Sequence, residues 1–163
     1  MARKTNIMIQ LEQTLTAMDI DPQTLIDHTR NLLAAYSKLA WLGNINPQPH
    51  TPIAQIRAGL DLIQTLSAGN LAPTPQIGHG SGIVCDIMQQ TLAQIQAYPA
   101  NGQQYHTILQ HAYFDPDPLT DAILMEQLHL ERTTYYSRKR EAITLYGYLI
   151  YTKYLPQLHQ ASR

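Results

Sequence analysis

The chain holds a single cysteine, Cys85, among its 163 residues. That excludes an internal disulfide and any zinc cluster built on cysteines. Set between Val84 and Ile87 in an amphipathic stretch, it reads as a small core residue rather than a nucleophile. No uninterrupted apolar run approaches 18 residues, so nothing is written as a membrane-spanning helix, and no membrane partner is expected. The start, MARKTNIMIQ, lacks the apolar segment and small-residue cleavage site of a secretory signal, which makes the cytoplasm the expected location. Charged residues amount to only 14% against 44% apolar, a globular rather than a disordered balance. Strand signals are nearly absent. An all-α fold is therefore expected.

What is present is helical periodicity, punctuated by breakers. Ile7–Met18 carries apolar residues at nearly helical spacing and ends in Asp19-Ile20-Asp21-Pro22, where Asp21 can cap and Pro22 can begin the next helix. That helix, Pro22 to Leu42, has one broad stripe through Leu25, Ile26, Leu32, Leu33, Tyr36 and Leu39, with Gly43-Asn44 as its stop. NINPQPHTP, residues 44–52, holds three prolines and reads as an extended connector. Ile53–Ser67 is amphipathic again. GNLAPTPQIGHGSG, residues 69–82, combines two prolines with four glycines and reads as a flexible boundary. Helices follow over Ile83–Tyr98 and Gln103–Phe114, and Asp115-Pro116-Asp117-Pro118 closes that pair. The division expected is an N-terminal helical element at 5–67, for oligomerisation or partner contact or equally for packing onto the chain's own C-terminal domain, a linker at 68–82, and a C-terminal four-helix domain at 83–154.

Catalysis finds little support. The seven histidines are scattered, and His106 with His111, five residues apart, do not share a helix face well enough to hold a metal. His79-Gly80-Ser81-Gly82 superficially suggests a phosphate or oxyanion loop, but it has neither a preceding strand nor the Lys and Ser/Thr of such a loop. No enzyme, catalytic residue, metal or cofactor is expected.

Leu119–Tyr148, LTDAILMEQLHLERTTYYSRKREAITLYGY, reads instead as a helix-turn-helix. Thr120 or Asp121 can cap a short helix with apolar Ala122, Ile123, Met125 and Leu128. His129-Leu130-Glu131 is a turn of the right length, with Leu130 plugging the corner and Glu131 able to accept from the amides of the next helix. The second helix, Arg132 to about Tyr151, turns Tyr135, Ala142, Tyr146 and Leu149 inward, with Arg138 and Lys139 at the edge of that face. Thr133, Tyr136, Ser137 and Arg140 face outward. A recognition helix enters the major groove with its first turns leading, so Arg132, Thr133, Thr134, Tyr136, Ser137 and Arg140 are candidates for base edges and nearby phosphates. Arg138 and Lys139, at the flank, suit phosphates.

These residues also resemble a family. LERTTYYSRKREAI is similar to the signature of ArpU/RinA-type phage transcriptional regulators through Arg132, Thr134, Tyr135, Tyr136, Lys139, Arg140, Glu141, Ala142 and Ile143. NGQQYHTILQHAY, residues 101–113, resembles the helix preceding that motif, and HTRNLLAAYSKLAWLG, residues 28–43, the family's N-terminal segment. The family usually has a small residue and a Ser where this chain has His129 and Glu131. The resemblance implies a C-terminal domain like region four of sigma factors, and a late-gene activator acting in a bacterial host, with host RNA polymerase as a possible partner.

Charge is consistent with a nucleic-acid partner. From Arg132 onward there are six Lys/Arg against one acid, whereas the preceding residues hold five against eleven, so a net charge of −1 conceals a dipolar molecule. The function expected is sequence-specific binding of double-stranded promoter or operator DNA by a homo-oligomer. The alternatives are a small terminase subunit, which also joins a helical DNA reader to an oligomerising part, and a helical adaptor that binds polymerase without touching DNA.

Overall fold

The computed structural model describes residues 4–45, 51–70 and 74–163. Every regular element among them is helical, as the periodicity predicts. Helix α1 spans Asn6–Ala17, and the Thr5 hydroxyl accepts from the amide of Met8 at its start. It ends on Asp19, whose φ of 61° is left-handed, and the amide of Ile20 returns to the Leu15 carbonyl at 2.9 Å. Helix α2, Pro22–Ile45, begins as expected: the Asp21 carboxylate accepts from the amide of Thr24 at 2.9 Å and from its hydroxyl at 2.7 Å. These bonds hold Asp21 below the usual carboxylate range, the hydroxyl contributing most. Helix α3, Pro52–Ser67, has Thr51 as its cap and Pro52 in its first turn. Residues 46–50 of the proline-rich connector lie outside the described residues.

The expected linker at 68–82 is corrected by the structure. Residues 71–73 lie outside the described residues, but helix α4 runs over Thr74–Gln96, straight through the glycine-rich stretch. Gly80 in this stretch permits contact between helices. A methyl carbon on Gly80 would stand 2.6 Å from the carbonyl oxygen of Ala58, and one on Gly59 would meet the side chain of Ile83. Backbone packs on backbone where α3 crosses α4, a geometry that any larger side chain would block. Glycine therefore signals a close approach here, whereas composition alone reads it as a breaker.

Helix α5, Gly102–Leu109, widens into a π-helical turn over Gln110–Phe114. After it come α6, Asp121–Leu128, and α7, Arg132–Leu149. A second π-helical turn, Ile150–Tyr154, leads into α8, Leu155–Ala161. The last helix thus continues well beyond Tyr151. The wider turn fits Pro156, whose ring in a regular helix would collide with the carbonyl four residues back.

The division into separate N- and C-terminal units is also corrected. One core joins Ile26, Leu33 and Leu39 of α2, Leu62 and Ile63 of α3, Met88 and Ile95 of α4, and Ile143 and Tyr146 of α7. The wide apolar stripes of the N-terminal helices are covered by the chain's own C-terminal half. Gly147 shows how closely: a methyl carbon there would overlap the hydroxyl of Thr29 on α2. A second, smaller cluster of Ile108, Leu124 and Tyr135 ties α5, α6 and the beginning of α7 together. Cys85, half-buried on α4, has its thiol pushed up to about 11 by burial and then by Asp86, which suits an inert packing residue. Among the described residues no helix is long and apolar enough to cross a membrane.

Candidate nucleic-acid interface

Helices α6 and α7 form around their turn the arrangement that local chemistry dictates. Thr120 caps α6, its hydroxyl accepting from the amide of Ile123 at 3.4 Å. His129 ends the helix in the left-handed region, with φ 55° and ψ 41°. Its amide bonds the Glu126 carbonyl at 3.2 Å, and the next amide, of Leu130, reaches back to Met125 at 3.0 Å. This is the Schellman pairing, and Leu130 packs into the small cluster beside Met125, as the motif requires. Where glycine is usual the chain uses histidine, at a conformational cost of about 1 kcal/mol. Glu131 occupies the cap position of α7 but makes no side-chain capping bond, contrary to expectation. Only its carbonyl serves, accepting from Tyr135 at 2.8 Å.

Asp121 fastens the two helices. Its carboxylate accepts from the buried Tyr135 hydroxyl at 2.6 Å, from the Lys139 ammonium at 2.8 Å and from the Tyr136 hydroxyl at 3.4 Å. Partial burial works against the charge, but the bonds from Lys139 and Tyr135 outweigh it and hold the carboxyl below its ordinary range. The same contact, after burial, pushes the Tyr135 phenol far up, so it remains a donor.

The faces of α7 follow from a turn of 100° per residue. Arg132, Thr133 and Tyr136 are exposed and lead the helix, and Ser137 and Arg140 continue that face half-buried. Thr134 is half-buried at its side. The Arg132 guanidinium lies over the Tyr136 ring at 5.5 Å, and that ring meets Tyr135 edge-on at 5.3 Å. Arg140 donates to the side-chain oxygen of Gln23 on α2 at 3.3 Å. The two flank residues point elsewhere than expected. Lys139 is committed to Asp121, and Arg138 bonds Glu141 at 3.3 Å. Glu141 is fully buried and also accepts from the Tyr105 hydroxyl at 2.5 Å. Arg138 and Lys139 are thus internal fasteners, and their charge is largely neutralised within the protein.

Of the eight expected contact residues, the structure gathers Arg132, Thr133, Tyr136, Ser137 and Arg140 on one face and turns Arg138 and Lys139 from it. Gln23 at its edge has no sequence signal, since it lies 117 residues from its partner. Asp121 was legible only as a possible cap. His111, whose Nδ1 pairs with Asp115, braces the π turn below α6 with Gln110, which donates to the same carboxylate at 2.8 Å. No group of metal-binding side chains occurs among the described residues. The chain matches no protein-family model, no curated protein and no solved structure.

Proposed function

We propose that the chain is a sequence-specific DNA-binding transcription regulator. One observation carries the reading: a three-helix unit of α5, α6 and α7, tightened by its own apolar cluster and by Asp121, presents Arg132, Thr133 and Tyr136 at the exposed leading turns of α7. A helix offered by its N-terminal turns fits the major groove, where Arg pairs with guanine and Thr or an aromatic ring meets the thymine methyl. With Arg138 and Lys139 paired internally, Arg132 and Arg140 are the cations that this face brings to the DNA, so the slope of log affinity on log salt should be no steeper than about −2 per subunit. Useful affinity then calls for two subunits or a second protein on the promoter. The resemblance to ArpU/RinA-type regulators extends the proposal to a phage late-gene activator in Gram-positive hosts.

The test is selection of bound fragments from the resident genome, followed by mobility shift with the selected site. Arg132→Ala with Arg140→Ala should weaken binding by about 1–3 kcal/mol for each base that either arginine bonds. Unchanged binding would make the reading wrong, and a site at a packaging origin would favour a terminase subunit. The internal pairing of Arg138 and Lys139 favours one other reading, an adaptor that contacts polymerase and not DNA. Absence of DNA retention at low salt would select it.

A further inference from the structure

Four basic residues lie from Arg132 to Arg140 on the leading half of α7, and the protein itself engages three of them. Arg138 bonds Glu141, Lys139 bonds Asp121 and Arg140 bonds Gln23. Arg132 is different. Among the described residues it forms no ion pair, and its guanidinium lies over the ring of Tyr136, one turn further on, at 5.5 Å from the ring centre. That ring is anchored on two sides. It meets the buried Tyr135 edge-on at 5.3 Å, and its hydroxyl donates to Asp121 at 3.4 Å. With 40% of its surface exposed, Tyr136 still faces outward beside the guanidinium.

A flat cation resting on an anchored ring has less rotamer freedom to lose when it binds. Stacking occupies a face of the guanidinium and leaves its donors, which lie in the plane, free at the edge. Those donors match O6 and N7 of guanine, the bidentate pair that the major groove offers. Tyr136 contributes differently. Its hydroxyl is taken by Asp121, so the ring offers DNA carbon rather than a hydrogen bond, and the apolar group that a base pair presents in that groove is the thymine methyl. The guanidinium and the ring centre are 5.5 Å apart, within two base-pair steps of about 3.4 Å each, which places both contacts on neighbouring base pairs.

We propose that Arg132 and Tyr136 act as one unit that reads a guanine with a thymine beside it, Arg132 bonding O6 and N7 of the guanine while the Tyr136 ring covers the thymine methyl. This rests on the DNA reading proposed above and adds the base step that the leading turns of α7 select. The full chain is titrated, at one salt concentration, against duplexes of a selected site in which each guanine in turn is replaced by 7-deazaguanine, which lacks N7, and each thymine by uracil, which lacks the methyl. One guanine should cost about fivefold in affinity when replaced, and a thymine next to it about threefold. Arg132→Ala should abolish the sensitivity at that guanine. Tyr136→Ala should abolish the sensitivity at that thymine and lessen the one at the guanine. Tyr136→Phe keeps the ring and should keep both, so that a loss confined to Tyr136→Ala belongs to the ring. Binding of the selected site with no such neighbouring pair, or with both sensitivities unchanged in Arg132→Ala and Tyr136→Ala, would overturn this inference alone. Absence of binding to any duplex would overturn the DNA reading and this inference with it.

Discussion

The two halves of α7 live in different solvents. From Glu141 to Gly147 every residue is buried, wedged among α2, α4 and α5, whereas from Arg132 to Arg140 only Tyr135 is. The buried half is held by shape, by Ile143, Tyr146 and the methyl-free Gly147. The leading half is held by polar fasteners, Asp121 on Tyr135 and Lys139, and Glu141 on Arg138. The leading half leaves most of its surface exposed and so buries little of its own, and its orientation is inherited from the half that is buried. Disrupting the two halves should therefore give effects of different size and reach.

The largest effect belongs to the buried half. Tyr146 is fully buried and donates to the Met88 carbonyl at 3.0 Å. Tyr146→Ala should cost about 3–5 kcal/mol, because the ring's packing disappears and a cavity stays unfilled. Urea denaturation should show the midpoint fall with the slope unchanged. Tyr146→Phe keeps the ring and should cost about 1 kcal/mol, the net value of one hydrogen bond. If the Ala variant unfolded within 1 kcal/mol of the parent, the buried half would not be the anchor.

Leu124→Ala acts on the small cluster instead, where the cost is about 2–3 kcal/mol because a peripheral site can partly collapse. Its reach should be short. Amide exchange in α6 should accelerate by about 30-fold or more, while amides of α4 keep their protection. Equal acceleration in both helices would mean that the two clusters unfold as one and that the distinction between them is thermodynamically empty.

Asp121 gives a pH-dependent version of the same comparison. Its folded-state carboxyl titrates below the ordinary value of 3.8, so its stabilisation is present above that value and is lost as pH falls through the depressed one. Asp121→Asn should therefore cost about 1 kcal/mol at pH 7, allowing for partial exposure. Melting curves of the two proteins should converge as the pH falls below the depressed value. A constant gap down to that pH would assign the effect to packing rather than to charge.

What was legible in the sequence and what was not divides along the same line, local against distant. Asp21 before Pro22, and Thr120 before α6, are caps whose partners lie three residues on, so their chemistry can be read directly. The faces of α7 follow from helical arithmetic, which separates Tyr136 and Arg140 from Tyr135 and Ala142. The fate of Lys139 does not follow, because Asp121 is 18 residues away and meets it only once the turn has closed. Arg138 with Glu141, three residues apart, was readable as an ion pair, but not the burial that makes it internal. Gly80 is the plainest failure of local reading: its role is to touch Ala58, and composition carries no trace of a contact between helices.

The smallest effects should be gains, located at the joint before α7. His129 holds a left-handed backbone that glycine adopts freely, and Glu131 stands at a cap position without capping. His129→Gly should relieve part of that backbone cost and stabilise the protein by about 0.5–1 kcal/mol. Glu131→Ser should supply an acceptor for the orphan amides of the first turn and add a similar amount. Thermal melting measures both, and because the sites are two residues apart the double variant tests their additivity. The gains should also appear as slower amide exchange at Thr133 and Thr134, with none at Ile143, which the buried half already protects. If His129→Gly were destabilising, the left-handed turn would not be the conformation of this joint in solution, and the presentation of Arg132 and Tyr136 at the leading turns of α7 would lose its basis.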